Sequence, residues 1–345
     1  MDVRGLVKRA AQRSGALSAL HRVRTADTLT VVTFHRVLGA GDPRLAEADP
    51  RYTIDAGLFE DCLRVLAREY AVVSADDVLA ARAGERPLPA RALLITLDDG
   101  WADNADYAAP VLTRLGLPAL LFVTGEILER ELPFWPEQIV AAARSGRLDR
   151  GELRRLASAA GAEPAATAEP LAAAREAIRA LTELPAPQRE DLLAARPALT
   201  QGVVGPVWAS PQQLRELRGS GVAIGAHGQR HQPLAGHDDL ARELDVPRDA
   251  LAAVLGEPPA TMSFPHGSVD QAALHAAREA GYGLLFTSET VLNALEDGVP
   301  GSDVIGRVGL YQEDITREDG QLAPELLLLW LVRRPRGVAG PATGA

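Results

Sequence analysis

Cysteine occurs once in these 345 residues, at Cys62, and lysine once, at Lys8. A single thiol excludes an intrachain disulfide. Its place in the helical pattern Leu58, Phe59, Cys62, Leu63, Leu66 makes it a buried structural side chain. The scarcity of lysine reads as codon bias. Basic charge is also short: 36 Lys and Arg against 46 Asp and Glu leave a net charge of -10, which argues against general nucleic-acid binding. No apolar run reaches membrane-spanning length, and neither an internal repeat nor a nucleotide-binding glycine loop is present. The start, Met1 to Arg24, is basic and lacks the continuous apolar core of a secretory signal, so a cytoplasmic or inner-membrane-surface location is expected. Within it Val3, Leu6, Val7, Ala10 and Leu17 oppose Arg4, Lys8, Arg9 and Arg13. Such a helix either packs on the rest of the chain, the preferred reading, or makes peripheral contact with an anionic membrane.

Against these absences stand two polar clusters, each at the end of an apolar run. Arg91 to Leu97 reads as a strand ending in Asp98-Asp99-Gly100; Asn104 to Leu115 then reads as a helix closed by Gly116, and Ala119 to Val123 as the next strand. Downstream, Ser210-Pro211 starts a helix to about Arg218, Gly221 ends it, and the strand Val222 to Ala226 runs into His227-Gly228-Gln229-Arg230-His231. In βαβ units the C-terminal strand ends share one rim, so both clusters arrive at the same place. Taken singly, Asp-Asp-Gly is also a turn with a helix N-cap, and the His pair also a polar surface loop. Taken together they are parts of a hydrolytic metal site. Imidazole and carboxylate suit Zn²⁺ and similar divalent ions, and three protein ligands leave a coordination position open for water.

The chain resembles the polysaccharide deacetylase family, whose NodB homology domain carries Thr-Phe-Asp-Asp-Gly, His-(Ser/Thr)-x-x-His and Arg-x-x-(Phe/Tyr)-Pro-x-Gly. Here these read Thr96 to Gly100, His227 to His231 and Thr261-Met-Ser-Phe264-Pro265-His266-Gly267. Phe34-His35-Arg36-Val37, Glu279-Ala-Gly-Tyr282 and Ile305-Gly-Arg307-Val308 add to the likeness, which spans roughly residues 28 to 312. The resemblance implies that Asp98 is the general base and that Asp99, His227 and His231 hold the metal, zinc first, with Co, Ni or Mn as alternatives.

Two departures from the family pattern stand out. The late Leu-x-His acid is missing, since no His follows His275, which leaves His35 and His266 as candidates to protonate the departing amine. His35 is favoured because some exopolysaccharide deacetylases of the family share an early Phe-His or Tyr-His and lack the late one. The third-motif Arg is replaced by Thr261, and Arg307 is expected to substitute by gripping the catalytic carboxylate. Expected substrate contacts are Phe264, Pro265 and Gly267 of the third motif, together with Trp101 and Trp135; Phe134-Trp135 either stacks on a sugar or anchors the segment that follows.

That segment, residues 129–206, turns to Ala, Arg, Glu and Leu with four helical patterns and no strand-like run. It reads as a helical insertion beside the active-site rim that shapes substrate choice. The expected fold is α/β: a distorted, mostly parallel (β/α) barrel over 28–128 and 207–315, preceded by the basic helical segment 1–27 and followed by a C-terminal helix and tail, 316–345. Leu326 to Val332 reads as a core-capping helix, and Gly337 to Ala345 are expected to fray. The substrate so implied is an N-acetylated glycan or lipid-linked saccharide. Deformylation or another non-peptide C–N hydrolysis, and glycan binding without catalysis, are the alternatives; the oligomeric state is open.

Overall fold

The computed structural model describes residues 16–163, 169–202 and 205–340. The amphipathic pattern from Val3 to Arg13 lies outside the described residues. Seven strands follow one another in chain order around a parallel sheet: β1 (Thr28–Phe34), β2 (Ala92–Leu97), β3 (Ala119–Val123), β4 (Val222–Ala226), β5 (Thr261–Ser263), β6 (Leu284–Phe286) and β7 (Val304–Ile305). The chain then breaks at Gly306-Arg307 and resumes as β8 (Val308–Gly309), which pairs in parallel with β1. The sheet thus curls until its last strand meets its first, as a distorted (β/α) barrel requires. A side chain at Gly306 would stand 2.5 Å from the Glu289 carbonyl oxygen, so the break needs glycine. The strand Leu292–Glu296 adds the antiparallel part, against the start of β1.

Every residue of β1 and β2 is buried, as expected of parallel strands covered on both faces. Side chains alternate, and the alternation decides who faces the barrel interior. Leu29 and Val31, Leu94, Leu120 and Phe122, Leu284 and Phe286, and Ile305 form one interior cluster. Val32, Leu93, Ile95 and Leu121 instead join the outer cluster with Phe59, Cys62, Leu63 and Leu66 of the helix Ala56–Glu69. Burial pushes the Cys62 thiol up to about 12, so it is an inert core side chain. Continued past the strand ends, the inward parity falls on His35, Asp98, His227 and Arg307.

The insertion is helical throughout its named elements: Trp135–Arg144, Arg150–Ala159, Pro170–Thr182 and Ala186–Ala194. Its apolar faces meet one another, with Ile139, Leu153, Leu156, Ala174, Ala177 and Leu181 fully buried in a core of their own. It docks on the loop after β1 through Arg147–Glu47 at 2.8 Å and Arg175–Asp49 at 3.1 Å. At the far end the helix Pro324–Val332 buries Leu327, Leu328, Leu331 and Val332. The fraying expected from Gly337 onward does not hold for residues 337–340: Arg336–Gly337 pairs in parallel with Leu292–Asn293, and Ala339 is buried.

The helix Ala16–Thr25 is pinned by His21, which is fully buried with Nε2 2.7 Å from the Tyr70 hydroxyl. Burial pulls its imidazole from 6.5 down to about 4, so between these values the unfolded chain binds a proton that the folded chain refuses. The stability this site contributes is full above the unfolded value and declines as the pH falls toward the folded one. His21→Phe should therefore flatten the fall in Tm between about pH 6.5 and 4, read by thermal melts across that window. Parallel pH profiles for variant and parent would refute the assignment.

Candidate active site

The ladder of β2 extends one residue beyond the strand, where the Asp98 N–H donates to the Phe34 carbonyl at 3.0 Å. If the strand continued, Asp99 would face away from Asp98. Instead Asp99 and Gly100 take left-handed φ values of 80° and 87°, and the turn brings the second carboxylate to the mouth beside the first. Glycine suits position 100, because a φ of 87° strains any residue with a Cβ.

The two carboxylates have different surroundings. Asp98 accepts from Arg307 Nη1 at 2.7 Å, and its other oxygen lies 3.9 Å from His35 Nε2. Arg307, buried and centred 5.4 Å from the Phe122 ring, also donates through Nε to the Thr287 carbonyl. Asp99 Oδ1 faces His227 Nε2 at 3.5 Å and His231 Nε2 at 3.3 Å, and Trp101 Nε1 donates to Oδ2 at 2.9 Å. Burial opposes ionisation of both carboxyls. For Asp98 it is outweighed by Arg307, His227 and His35, and for Asp99 by the two facing imidazoles, so both lie below the usual carboxylate range. For His227 burial is outweighed by Asp99 and Asp98, which raise it; for His35 burial prevails and lowers it.

One oxygen of Asp99 and one nitrogen each from His227 and His231 lie within 4.8 Å of one another. Asp99 Oδ1 is buried with no hydrogen-bond partner, a costly state for a carboxylate unless a cation meets it. His227 Nδ1 lies 2.7 Å from the Ser263 carbonyl, which can only accept, so Nδ1 carries the proton and Nε2 presents its lone pair inward. These residues fit a divalent cation.

Residues that sequence reasoning missed hold this donor set. Glu243, in the helix Leu240–Leu255, is buried and accepts the N–H groups of Gln229 and Arg230 at 2.9 and 3.0 Å, fixing the loop between the two histidines. Asn104 Nδ2 donates to the His35 carbonyl at 2.8 Å. Phe134, which the sequence did single out, stacks on His231 with ring centroids 4.6 Å apart and planes 10° from parallel. No local sequence signal marks Glu243, whose partners lie more than ten residues away in another element.

The expected substrate contacts are placed elsewhere. Trp101 is 2% exposed, stacked on Trp208 at 4.4 Å and overlain by the Arg36 guanidinium, so its indole orients Asp99 and offers no face to a sugar. Trp135 packs on the insertion's own core beneath Arg189. Phe264 is fully buried, Pro265 abuts Gly228, and Gly267, at φ 67°, crowds Ser288; the turn buttresses the histidine loop instead of forming a substrate wall. His266 lies against His231, with ring centroids 4.6 Å apart and Nε2 3.3 Å from the His231 carbonyl, whereas His35 is the imidazole beside Asp98.

The sequence pattern of the family described as Polysaccharide deacetylase matches residues 85–285. No match was found among curated protein sequences. The chain is similar in fold to the deacetylase PplD from Streptococcus pyogenes, solved with acetate: TM-score 0.56, 14% identity, 89% of this chain and 99% of that one covered. IcaB from Ammonifex degensii gives 0.55 at 18% identity, covering 89% and 98%. A de-N-acetylase from Aggregatibacter actinomycetemcomitans gives 0.52 at 18%, covering 82% and 94%.

The division of labour between the carboxylates is testable by metal titration. Asp98→Asn should retain a bound divalent cation and lose turnover, whereas Asp99→Ala should lose the cation, having removed one of three ligands. Loss of metal by the first with retention by the second would reverse the assignment. Glu243→Ala, which frees the histidine loop, should weaken metal affinity by about 10–100-fold, the usual effect of removing an outer-shell partner.

Proposed function

The chain belongs to the polysaccharide deacetylase family, and on that premise we propose that it is a metal-dependent hydrolase removing N-acetyl groups from N-acetylhexosamine units of a glycan or lipid-linked saccharide. The observation that carries this reading is the split environment of the two neighbouring carboxylates. Asp98 is gripped by Arg307 and flanked by His35, while Asp99 faces two imidazole nitrogens. Asp99, His227 and His231 would hold the cation, with zinc the first choice for this donor set and Co, Ni or Mn as alternatives. When bound, it supplies Lewis acidity toward the amide oxygen and the attacking water.

The rest of the chemistry belongs to the chain. Arg307 keeps Asp98 ionised and aimed, so its free oxygen can take a proton from water as the water attacks the acetyl carbon. His35, on the side of that oxygen, gives a proton to the nitrogen as the C–N bond breaks, and acetate and the free amine leave. Arg307 reaches Asp98 from the break between β7 and β8 while Thr261 lies on β5, and this contact supports Arg307 in the orienting role expected of the missing third-motif Arg.

Two imidazoles compete for the acid role, and substitution separates them. His35→Ala should keep its metal yet lose on the order of 10²-fold or more in kcat, with less loss on an activated ester whose leaving group needs little protonation. Because the protonated imidazole is the working form, activity falls as the pH rises through its pKa, and that limb of the pH–rate profile should vanish in the variant. His266→Ala should show the smaller effect. The opposite ranking in leaving-group dependence and basic limb would move the acid to the Phe264–Gly267 turn. Absence of acetate release from every acetylated saccharide tested, with metal bound, would overturn the deacetylase reading.

A further inference from the structure

Trp101 and Phe264 are buried, Trp135 packs on the insertion's core, and the aromatic ring that stands open beside His35 is Tyr52. We propose that Tyr52 is the platform on which the pyranose bearing the departing amine stacks. The proposal rests on the glycan reading and on His35 as acid.

Chemistry orients the substrate. The amide nitrogen must come within hydrogen-bond reach of the acid, while the acyl group lies toward Asp99, His227 and His231. The sugar ring, joined to that nitrogen by one bond, therefore lies next to His35 on the side away from the donor set. The Tyr52 ring is centred 4.9 Å from the His35 ring and shares with it a cleft that Asp99, His227 and His231 do not line. Tyr52 is 41% exposed and, among the described residues, the one aromatic among the large hydrophobic side chains left exposed.

The ring is held in place as a binding surface requires. Tyr52 N–H donates to the Asp49 carbonyl at 3.1 Å, and its own carbonyl accepts from the Arg36 N–H at 3.0 Å. Tyr311 meets it edge-on at 6.1 Å, and the Arg51 guanidinium covers Tyr311 at 3.7 Å while pairing with Glu313. Phe34, His35, Thr53 and Leu310 line the cleft beside Tyr52. A pyranose presents an apolar C–H face and a hydroxyl rim, which matches a half-open phenol ring with a guanidinium nearby.

Binding of N-acetylglucosamine tetrasaccharide, measured by calorimetry in an Asp98→Asn background so that substrate persists, tests the platform. Tyr52→Ala should weaken binding at least about tenfold, the loss expected when a large aromatic contact is removed, whereas Tyr52→Phe, which keeps the ring, should stay within about twofold. In the chain with Asp98 intact, the loss in kcat/KM on the tetrasaccharide should exceed that on vinyl acetate, which has no sugar, by at least about tenfold. Unchanged binding in Tyr52→Ala, or no binding by the parent, overturns the platform. So does an equal loss on both substrates with a displaced pH profile, which would make Tyr52 a support for His35. Failure of the chain with Asp98 intact to release acetate from the tetrasaccharide counts against the proposed reaction, and the binding series is read independently of it.

Discussion

The buried ion pair between Arg307 and Asp98 ties the end of the barrel to the carboxylate that follows β2. Removing one member of such a pair strands the other charge in the interior, at roughly 3–5 kcal/mol. The same contact closes the fold and orients that carboxylate. Arg307 occupies the break between β7, which pairs with β6, and β8, which pairs with β1. An unbroken strand would have no reason to bend here. The break lets the sheet close and leaves the guanidinium over Phe122, where its Nη1 meets Asp98.

A second constraint is the backbone at Asp99. A left-handed conformation in a non-glycine residue costs about 1–3 kcal/mol and persists only where the surroundings over-determine it. Here the Trp101 indole holds one oxygen and two imidazoles face the other. His231 also has positive φ, at 52°, so two of the three donors sit on strained backbone while the third, His227, directly extends a strand. Strain concentrated on the donor set and supported from behind is the arrangement of a site preorganised for a ligand.

That support reaches into the insertion. Phe134, read from the sequence as either a sugar-stacking or an anchoring side chain, stacks on His231 and packs against Trp101 and Trp208. The base of the insertion is thus part of the wall behind the donor set, while its helices bury a separate core. Its docking on the loop after β1, through Glu47 and Asp49, also borders the turn that carries Tyr52.

The sequence by itself determined the elements and the chemistry-bearing residues. Continuous apolar runs located β3 and β4 to the residue and composition marked a helical insertion, because burial on both faces leaves such runs and because caps such as Ser210 and Gly116 are local signals. It also nominated His35, Asp98, Asp99, His227, His231 and Arg307, whose motifs lie at or just past strand ends; alternation gives the direction of His35, Asp98 and His227, while Asp99 and His231 depend on left-handed turns. Only the tertiary structure decided which aromatics face the cleft, which imidazole lies beside Asp98 and what holds the histidine loop. Trp101 and Tyr52 are both aromatic residues near rim motifs, and nothing in their neighbours along the chain says that one is stacked on Trp208 and the other left open. Glu243 was equally invisible, since its two acceptor contacts depend on a helix folding back across the end of β4. Exposure and long-range hydrogen bonds are properties of the packed whole, and the spacing of residues along the chain does not encode them.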